Sequence, residues 1–272
     1  MWIGKREFDV KHHTYVMGIL NVTPDSFSDG GKYNSIENAL RRACELKKQG
    51  ADILDIGGES TRPGYMQISE EEEIERTAEI IRRIKAECDI PISIDTYKAA
   101  VAREALRAGA DMVNDIWGLK YDEKMAGVIA EYNAVCCLMH NREQAVYQDF
   151  MSELEMDLKE TLQIAKGAGI AKDRIILDPG VGFGKTYHQN LEVISSMERL
   201  HKLGCPLLLG TSRKSVIGLT LELPVEERLE GTLVTTVYAV QQRCAFVRVH
   251  DVKENVRTIK MAEALRDVRE IS

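Results

Sequence analysis

The stretch "ADILDIGGESTRPG", residues 51–64, decides the fold. Its first half is mostly apolar and rich in strand formers; its second half gathers Gly, Glu, Ser, Thr, Arg and Pro. A short apolar run bounded by turn residues suits a parallel strand buried on both faces. The same phrase recurs along the chain. Beside 51–58, strands are predicted at "YVMGILNV" (15–22), "PISIDT" (91–96), "DMVNDIW" (111–117) and "AVCCLMH" (134–140). "RIILDPG" (174–180), "PLLLGTS" (206–212) and "AFVRVHD" (245–251) bring the count to eight.

Amphipathic helix patterns lie between them. Ile36, Ala39, Leu40, Ala43 and Leu46 form one stripe. "SEEEEIERTAEIIRRIKAE" (69–87) opens on a Ser69 cap, with early acids and later bases that suit the helix dipole. Its acid run therefore reads as a solvated helix start rather than a metal site. "FMSELEMDLKETLQIAKGAG" (150–169) sets Phe150, Leu154, Leu158 and Leu162 four apart and stops at glycines. "HQNLEVISSMERLHKLG" (188–204), "VEERLEGTLVTTVYAVQQR" (225–243) and "VKENVRTIKMAEALRDV" (252–268) complete the series, and the stripe in "TLVTTVYAVQQ" reads as core. Eight such units without a Pro/Gly/Ser-rich linker predict a (β/α)8 TIM barrel, with 1–272 as one domain. An open doubly wound sheet alternates in the same way. Polar residues at nearly every strand end favour the barrel.

Composition narrows the function classes. A net charge of −7, with no dense Lys/Arg block, argues against a nucleic-acid partner. None of the six cysteines falls in CxxC, a pattern of reduced thiols rather than a disulfide framework. No run approaches membrane-span length, and Met1–Val10 is polar and charged. The expectation is a soluble cytoplasmic protein.

In a barrel the strand ends converge on one face, where binding and catalytic groups gather. Asp95, Asn114 and Asp178 are read as facing inward there. Burying a carboxylate costs several kcal/mol unless it is paired or hydrogen-bonded. Capping of the following helices is the competing role for each. Two carboxylates and an amide suit a ligand edge rich in N–H donors, such as an aminopyrimidine or pterin. Lys214 is placed to neutralise Asp178 and donate to a carbonyl oxygen. Arg248 and His250 share one face of the last strand, near Asn21 of the first, and make an anion site. A surface salt bridge for Arg248 and a structural hydrogen bond for His250 compete with that reading.

"GVGFGKT" (180–186) is no phosphate loop. Pro179 occupies the position where the Walker pattern needs Gly, and Tyr187 the one where the dinucleotide pattern does. Its glycines permit a tight turn beside the ligand, with Phe183 as an apolar wall. Neither a zinc site nor a serine nucleophile elbow is present. Hard oxygen ligands and a phosphate group point to Mg²⁺ held partly by substrate.

Together "MGILNVTPDSFSDGG", "DIGGESTRPG", "ISIDT", "NDIWG", "DPGVGFGKT", "GTSRKS" and "RVHD" resemble the dihydropteroate synthase family over residues 17–251. The resemblance implies condensation of 6-hydroxymethyl-7,8-dihydropterin pyrophosphate with 4-aminobenzoate, giving 7,8-dihydropteroate and pyrophosphate with Mg²⁺. It implies that Asp95, Asn114, Asp178 and Lys214 bind the pterin, with Met139 lining its pocket and Arg248 stacking on it. Asn21, Arg248 and His250 would hold pyrophosphate, and Asn21 would also reach the metal. Phe27, Thr61, Arg62, Pro63, Phe183 and Ser215 would form the aminobenzoate side. Asp25 and Asp29, with Asn21, Lys214, Arg248 and His250, complete the implied catalytic set. Asp25, Asp29, Ser60 and Arg62 belong to two closing loops, the first within "NVTPDSFSDGG" (21–31), and a homodimer through late helices is expected. "NREQAVYQDF" (141–150) departs from the Gly/Pro-containing loop of many relatives. The rival readings are a methyltetrahydrofolate–corrinoid methyltransferase, which has no need of "NVTPDSF", "TSRKS" or "RVHD", and an idle barrel that only binds.

Overall fold

A computed structural model describes residues 1–22, 31–59 and 67–271. The chain opens on an antiparallel hairpin, β1 (Trp2–Ile3) and β2 (Arg6–Glu7). Eight parallel strands follow: β3 (Tyr15–Asn21), β4 (Ile53–Gly57), β5 (Ile92–Asp95), β6 (Met112–Asp115), β7 (Val135–Met139), β8 (Ile175–Asp178), β9 (Leu208–Leu209) and β10 (Phe246–Val249). They run in the order β8-β7-β6-β5-β4-β3-β10-β9, and a parallel bridge between Leu177 and Leu207 brings the two edges together. The result is the predicted barrel, not an open sheet.

Helices α1 (Gly31–Gln49), α2 (Glu70–Glu87), α3 (Ala99–Ala108), α4 (Met125–Glu131), α5 (Phe150–Gly167), α6 (Tyr187–Ser195), α7 (Ser215–Leu221), α8 (Leu229–Gln241) and α9 (Val252–Ile271) surround it. Of these, α3, α4 and α7 were absent from the helix patterns, being too short to show a long stripe. The 188–204 pattern is two pieces: α6 ends at Ser195, and a 3-10 helix continues over Met197–Leu203. A 3-10 turn, Val225–Glu227, likewise precedes α8. No helix among the described residues is long and apolar enough to cross a membrane.

Two expectations are corrected. Ser69 does cap α2, accepting from the Glu72 amide at 3.2 Å, but the acid run behind it is not wholly solvated. Glu73 begins the helix's inward stripe with Thr77, Ile80, Ile81 and Ile84, and is 1% exposed. Burial raises its pKa, opposed by Lys98, whose Nζ it accepts at 2.8 Å. On α8 the apolar stripe is not all core. Thr232, Thr236, Ala239 and Val240 face inward, while Val234 and Tyr238 are exposed.

Strand alternation sorts the interior into layers. Leu54, Ile56, Ile92, Ile94, Val113, Leu138, Leu177 and Val247 face outward and pack against the helices. Met17, Ile53, Met112, Val135, Ile176, Leu208 and Phe246 face inward at the strand starts. Ile3 of β1 and Phe8, just after β2, join this inner cluster and plug the barrel floor. Phe8 lies edge-on to Tyr15, with ring centroids 4.8 Å apart.

Candidate active site

Two residues beyond that apolar layer, the inward positions turn polar. Asp55 on β4, Asp95 on β5, Asn114 on β6, Asp178 on β8 and Arg248 on β10 share the parity of Ile53, Ser93, Met112, Ile176 and Phe246. The four acids and amides are all buried. Arg248 donates from Nε to Asp55 Oδ2 at 2.5 Å and from Nη2 to Asp95 Oδ2 at 2.6 Å. Asn114 Nδ2 donates to the same Asp55 oxygen at 3.1 Å. Arg248 is thus an ion pair, but inside the barrel rather than on its surface.

Satisfaction is incomplete. Among the described residues three buried side-chain oxygens have no hydrogen-bond partner: Asp55 Oδ1, Asp95 Oδ1 and Ser93 Oγ. Native structures leave few such atoms, each of which calls for an explanation. Burial pushes Asp95 up to about 7 despite the facing Arg248, with Asp55 adding to the rise. Asp178 is also raised by burial, opposed by Lys214 and by the Gly180 amide that donates to it at 2.7 Å. Burial carries Lys214 down to about 8, against the pull of Asp178. Its Nζ donates to Val181 O at 2.5 Å. Asp178 faces Lys214 across Gly210, where a methyl group would lie 3.7 Å from Asp178 Oδ2 and 3.8 Å from Lys214 Nζ.

Beside the polar floor stands an apolar wall. Tyr97, Ile116 and Met139 pack together with Trp117 and Phe183 against them, and Lys214 Nζ lies 4.8 Å over the Phe183 ring. Ser215 begins α7 on the exposed side. His250 continues the inward parity of Arg248, and its Nδ1 is 3.0 Å from Ser212 Oγ. Asn21 ends β3 with its side chain exposed; a methyl at Gly57 would lie 3.7 Å from both Asn21 Oδ1 and Asp95 Oδ2. Asn21 and Asp95 therefore border one space. The barrel brings Asn21, Asp95, Asn114, Met139, Asp178, Phe183, Lys214, Ser215, Arg248 and His250 to one end. Asp25, Phe27, Asp29, Ser60, Thr61, Arg62 and Pro63 lie outside the described residues.

The model for pterin-binding enzymes matches residues 17–250. Dihydropteroate synthase of Clostridium beijerinckii is 59% identical over 266 residues, 97% of this chain and 99% of its own. The chain belongs to the dihydropteroate synthase family of pterin-binding enzymes. It is accordingly an enzyme, a transferase of the dihydropteroate synthase type. A dihydropteroate synthase from Clostridium difficile, solved in the presence of pteroic acid, superposes with a TM-score of 0.93 at 51% identity, covering 95% of this chain and 99% of that one. The Xanthomonas albilineans dihydropteroate synthase, solved with 4-aminobenzoic acid, gives 0.89 at 41% identity, with 93% of each chain covered.

Within this dihydropteroate synthase fold, sequence reasoning missed Asp55, Ser93 and the wall residues Tyr97, Ile116 and Trp117. A signal for Asp55 was present. In "ILDIG" it interrupts a buried strand at the parity of Ile53, so it must project into the barrel. A buried acid inside a parallel strand requires a partner or a ligand.

Proposed function

We propose that this enzyme joins 6-hydroxymethyl-7,8-dihydropterin pyrophosphate to 4-aminobenzoate, releasing 7,8-dihydropteroate and pyrophosphate. The observation that carries the reading is the pair of unpartnered, buried carboxylate oxygens on Asp55 and Asp95, beside Asn114 and Asp178. A pterin edge offers the N–H donors such acceptors lack. Pteroic acid and 4-aminobenzoic acid in the two related structures are the chemistry the reading requires.

In the proposed reaction the methylene C–O bond breaks and its electron pair leaves with pyrophosphate. The pterin-conjugated cation is then attacked by the arylamine nitrogen, which loses a proton to pyrophosphate or solvent. Asp95, Asn114, Asp178 and Lys214 orient the ring, and Met139 lines its edge. Arg248 and His250 stabilise charge on the leaving group electrostatically. Phe183 and Ser215 flank the arylamine, and Phe27, Thr61, Arg62 and Pro63 are assigned to the same binding set. Asp25 and Asp29 complete the proposed catalytic set. Holding the amine against the carbon supplies much of the acceleration, since an arylamine needs no activating base.

Among the described residues, no group of three or more His, Cys, Asp or Glu is placed to hold a metal ion. The single hard oxygen of Asn21 fits Mg²⁺ only as a shared ligand, with phosphate oxygens completing the shell. Asn21 would hold the ion there, and the ion would neutralise charge on the departing pyrophosphate.

Exposed Val234 and Tyr238 on α8, with Met261 and Leu265 on α9, support a homodimer through these late helices. Six free cysteines, five of them buried, support a reducing cytoplasmic setting. Pyrophosphate release from the two substrates and Mg²⁺ tests the reaction. Release that requires both substrates is expected; tight pterin binding without release would make the protein an idle barrel.

A further inference from the structure

Lys185 is the next-to-last residue of "GVGFGKT" and is not among the site residues described above. Its side chain folds back onto carbonyls of the loop it follows. Nζ lies 2.9 Å from Gly180 O, 2.9 Å from Phe183 O and 2.9 Å from His140 Nδ1; a fourth approach, to His140 O, is long at 3.5 Å. An ammonium has three N–H donors, and three good acceptors meet them. Nδ1 accepts only when the ring proton sits on Nε2, and His140 Nε2 faces Asp157 Oδ2 at 3.0 Å. Asp157 also accepts from Arg142 Nε at 2.7 Å. Burial carries His140 down to about 4, so the ring is neutral near pH 7. Burial carries Lys185 itself down to about 7, against the pull of Asp178, while the three acceptors around Nζ call for its charged form. Below about pH 7 the row thus reads ammonium, neutral imidazole, carboxylate, guanidinium.

This row shapes one loop. Gly180, Gly182 and Gly184 have φ of 72°, 85° and 52°, the left-handed region open to glycine. The 180–184 backbone presses onto the 140–147 segment so closely that a methyl at Gly180 would lie 1.9 Å from His140 O. One at Gly184 would lie 2.2 Å from Arg142 O, and Tyr147 Oη donates to Gly184 O at 2.8 Å. The segment that departs from the family pattern is therefore the bed on which this loop rests. Facing the mouth, the same loop presents the Phe183 ring and the Val181 carbonyl, both against Lys214.

We propose that Lys185, hydrogen-bonded through His140 to Asp157, is a positioning residue that sets the 180–184 loop so that Phe183 walls the arylamine and Val181 O fixes Lys214. It acts without touching either reactant, and its effect on turnover rests on the reaction proposed above. Removing the clip frees the carbonyl of Phe183 itself, whereas Asp95 and Asn114 are held from other strands and Asp178 is anchored at the end of β8. The damage therefore falls mainly on the arylamine.

Three variants test this. Lys185→Met removes the donor, His140→Phe keeps a ring but neither polar contact, and His140→Gln keeps one acceptor and one donor. Lys185→Met and His140→Phe should raise KM for 4-aminobenzoate about tenfold, the loss of roughly one hydrogen bond, and shift the pterin KM less than about threefold. His140→Gln should stay within about twofold of wild type. A packing role predicts the reverse order, with Phe tolerated and Gln damaged. Wild-type kinetics in His140→Phe, or equal damage in His140→Gln, would overturn the proposal. Should Lys185→Met not fold, the two His140 variants still decide it. Nitrogen NMR of His140 gives a readout free of activity: Nε2–H with an accepting Nδ1 is expected, and a proton on Nδ1 refutes the network. Wild-type enzyme that releases no pyrophosphate would break the reaction reading instead, leaving the tautomer to judge Lys185.

Discussion

At the floor of the barrel, Ile3, Phe8, Met17, Ile53 and Phe246 close on one another in an apolar cluster. At the mouth, two residues further along neighbouring strands, Asp55 and Asp95 each keep a buried oxygen without a partner. One backbone pattern thus carries two chemistries. The floor contributes stability, because apolar area leaves water and packs tightly. The mouth subtracts from it, because three carboxylates and a guanidinium are desolvated with incomplete compensation. A sequence under selection for folding alone would continue the apolar layer upward. Where it does not, the departure marks the place at which a ligand completes the hydrogen bonding.

Separating the two ends by mutation should separate stability from activity. Phe8→Ala is expected to give the largest energetic effect, about 3–5 kcal/mol of unfolding free energy, with kcat/KM of the folded enzyme within about twofold. Denaturant titration and steady-state kinetics check the pair. Asp95→Asn should do the opposite. It should lower kcat/KM about 100-fold through a lost charged hydrogen bond, with no fall in melting temperature. Comparable loss of stability in both variants would erase the distinction between floor and mouth.

The pH dependence sharpens the same contrast. Asp95 is held at about 7 in the fold against an ordinary 3.8, so the folded chain binds that proton more tightly than the unfolded one. Its contribution to stability is fully present below about 4 and is lost as pH rises through about 7. Recognition of N–H donors runs the other way, because the carboxylate is the acceptor. An acid limb in kcat/KM with a midpoint near 7 is expected, and its absence from Asp95→Asn would assign it. A smaller effect is expected at the helical surface, where Val234→Glu should shift sedimentation toward monomer while leaving the mouth intact.

The floor and the mouth were unequally legible from sequence. All eight barrel strands could be read because each is an apolar run ended by turn residues. Asp95, Asn114, Asp178 and Arg248 could be read because they stand at or near those ends. Asp55 was hidden within a strand, where only its parity with Ile53 betrays it. The amino-terminal plug was illegible for another reason: "WIGKREF" has only two-residue strands, and the burial of Ile3 and Phe8 depends on the closed barrel beneath them. Glu73 failed similarly, since an acid in a helix's first turn is usually solvated, and Lys98, from the following unit, draws this one inward. Lys185 was singled out by a motif it does not serve. Its acceptors, Gly180 O, Phe183 O and His140 Nδ1, come together only through the turn of three left-handed glycines.

The central claim is that the unpartnered acids of the mouth recognise a pterin. Titration calorimetry of a pterin ligand into wild type and Asp95→Asn, without arylamine or Mg²⁺, tests it most directly. Affinity about 100-fold weaker in the variant, with an unchanged melting temperature, is the predicted result. Equal affinity in the two proteins would contradict it.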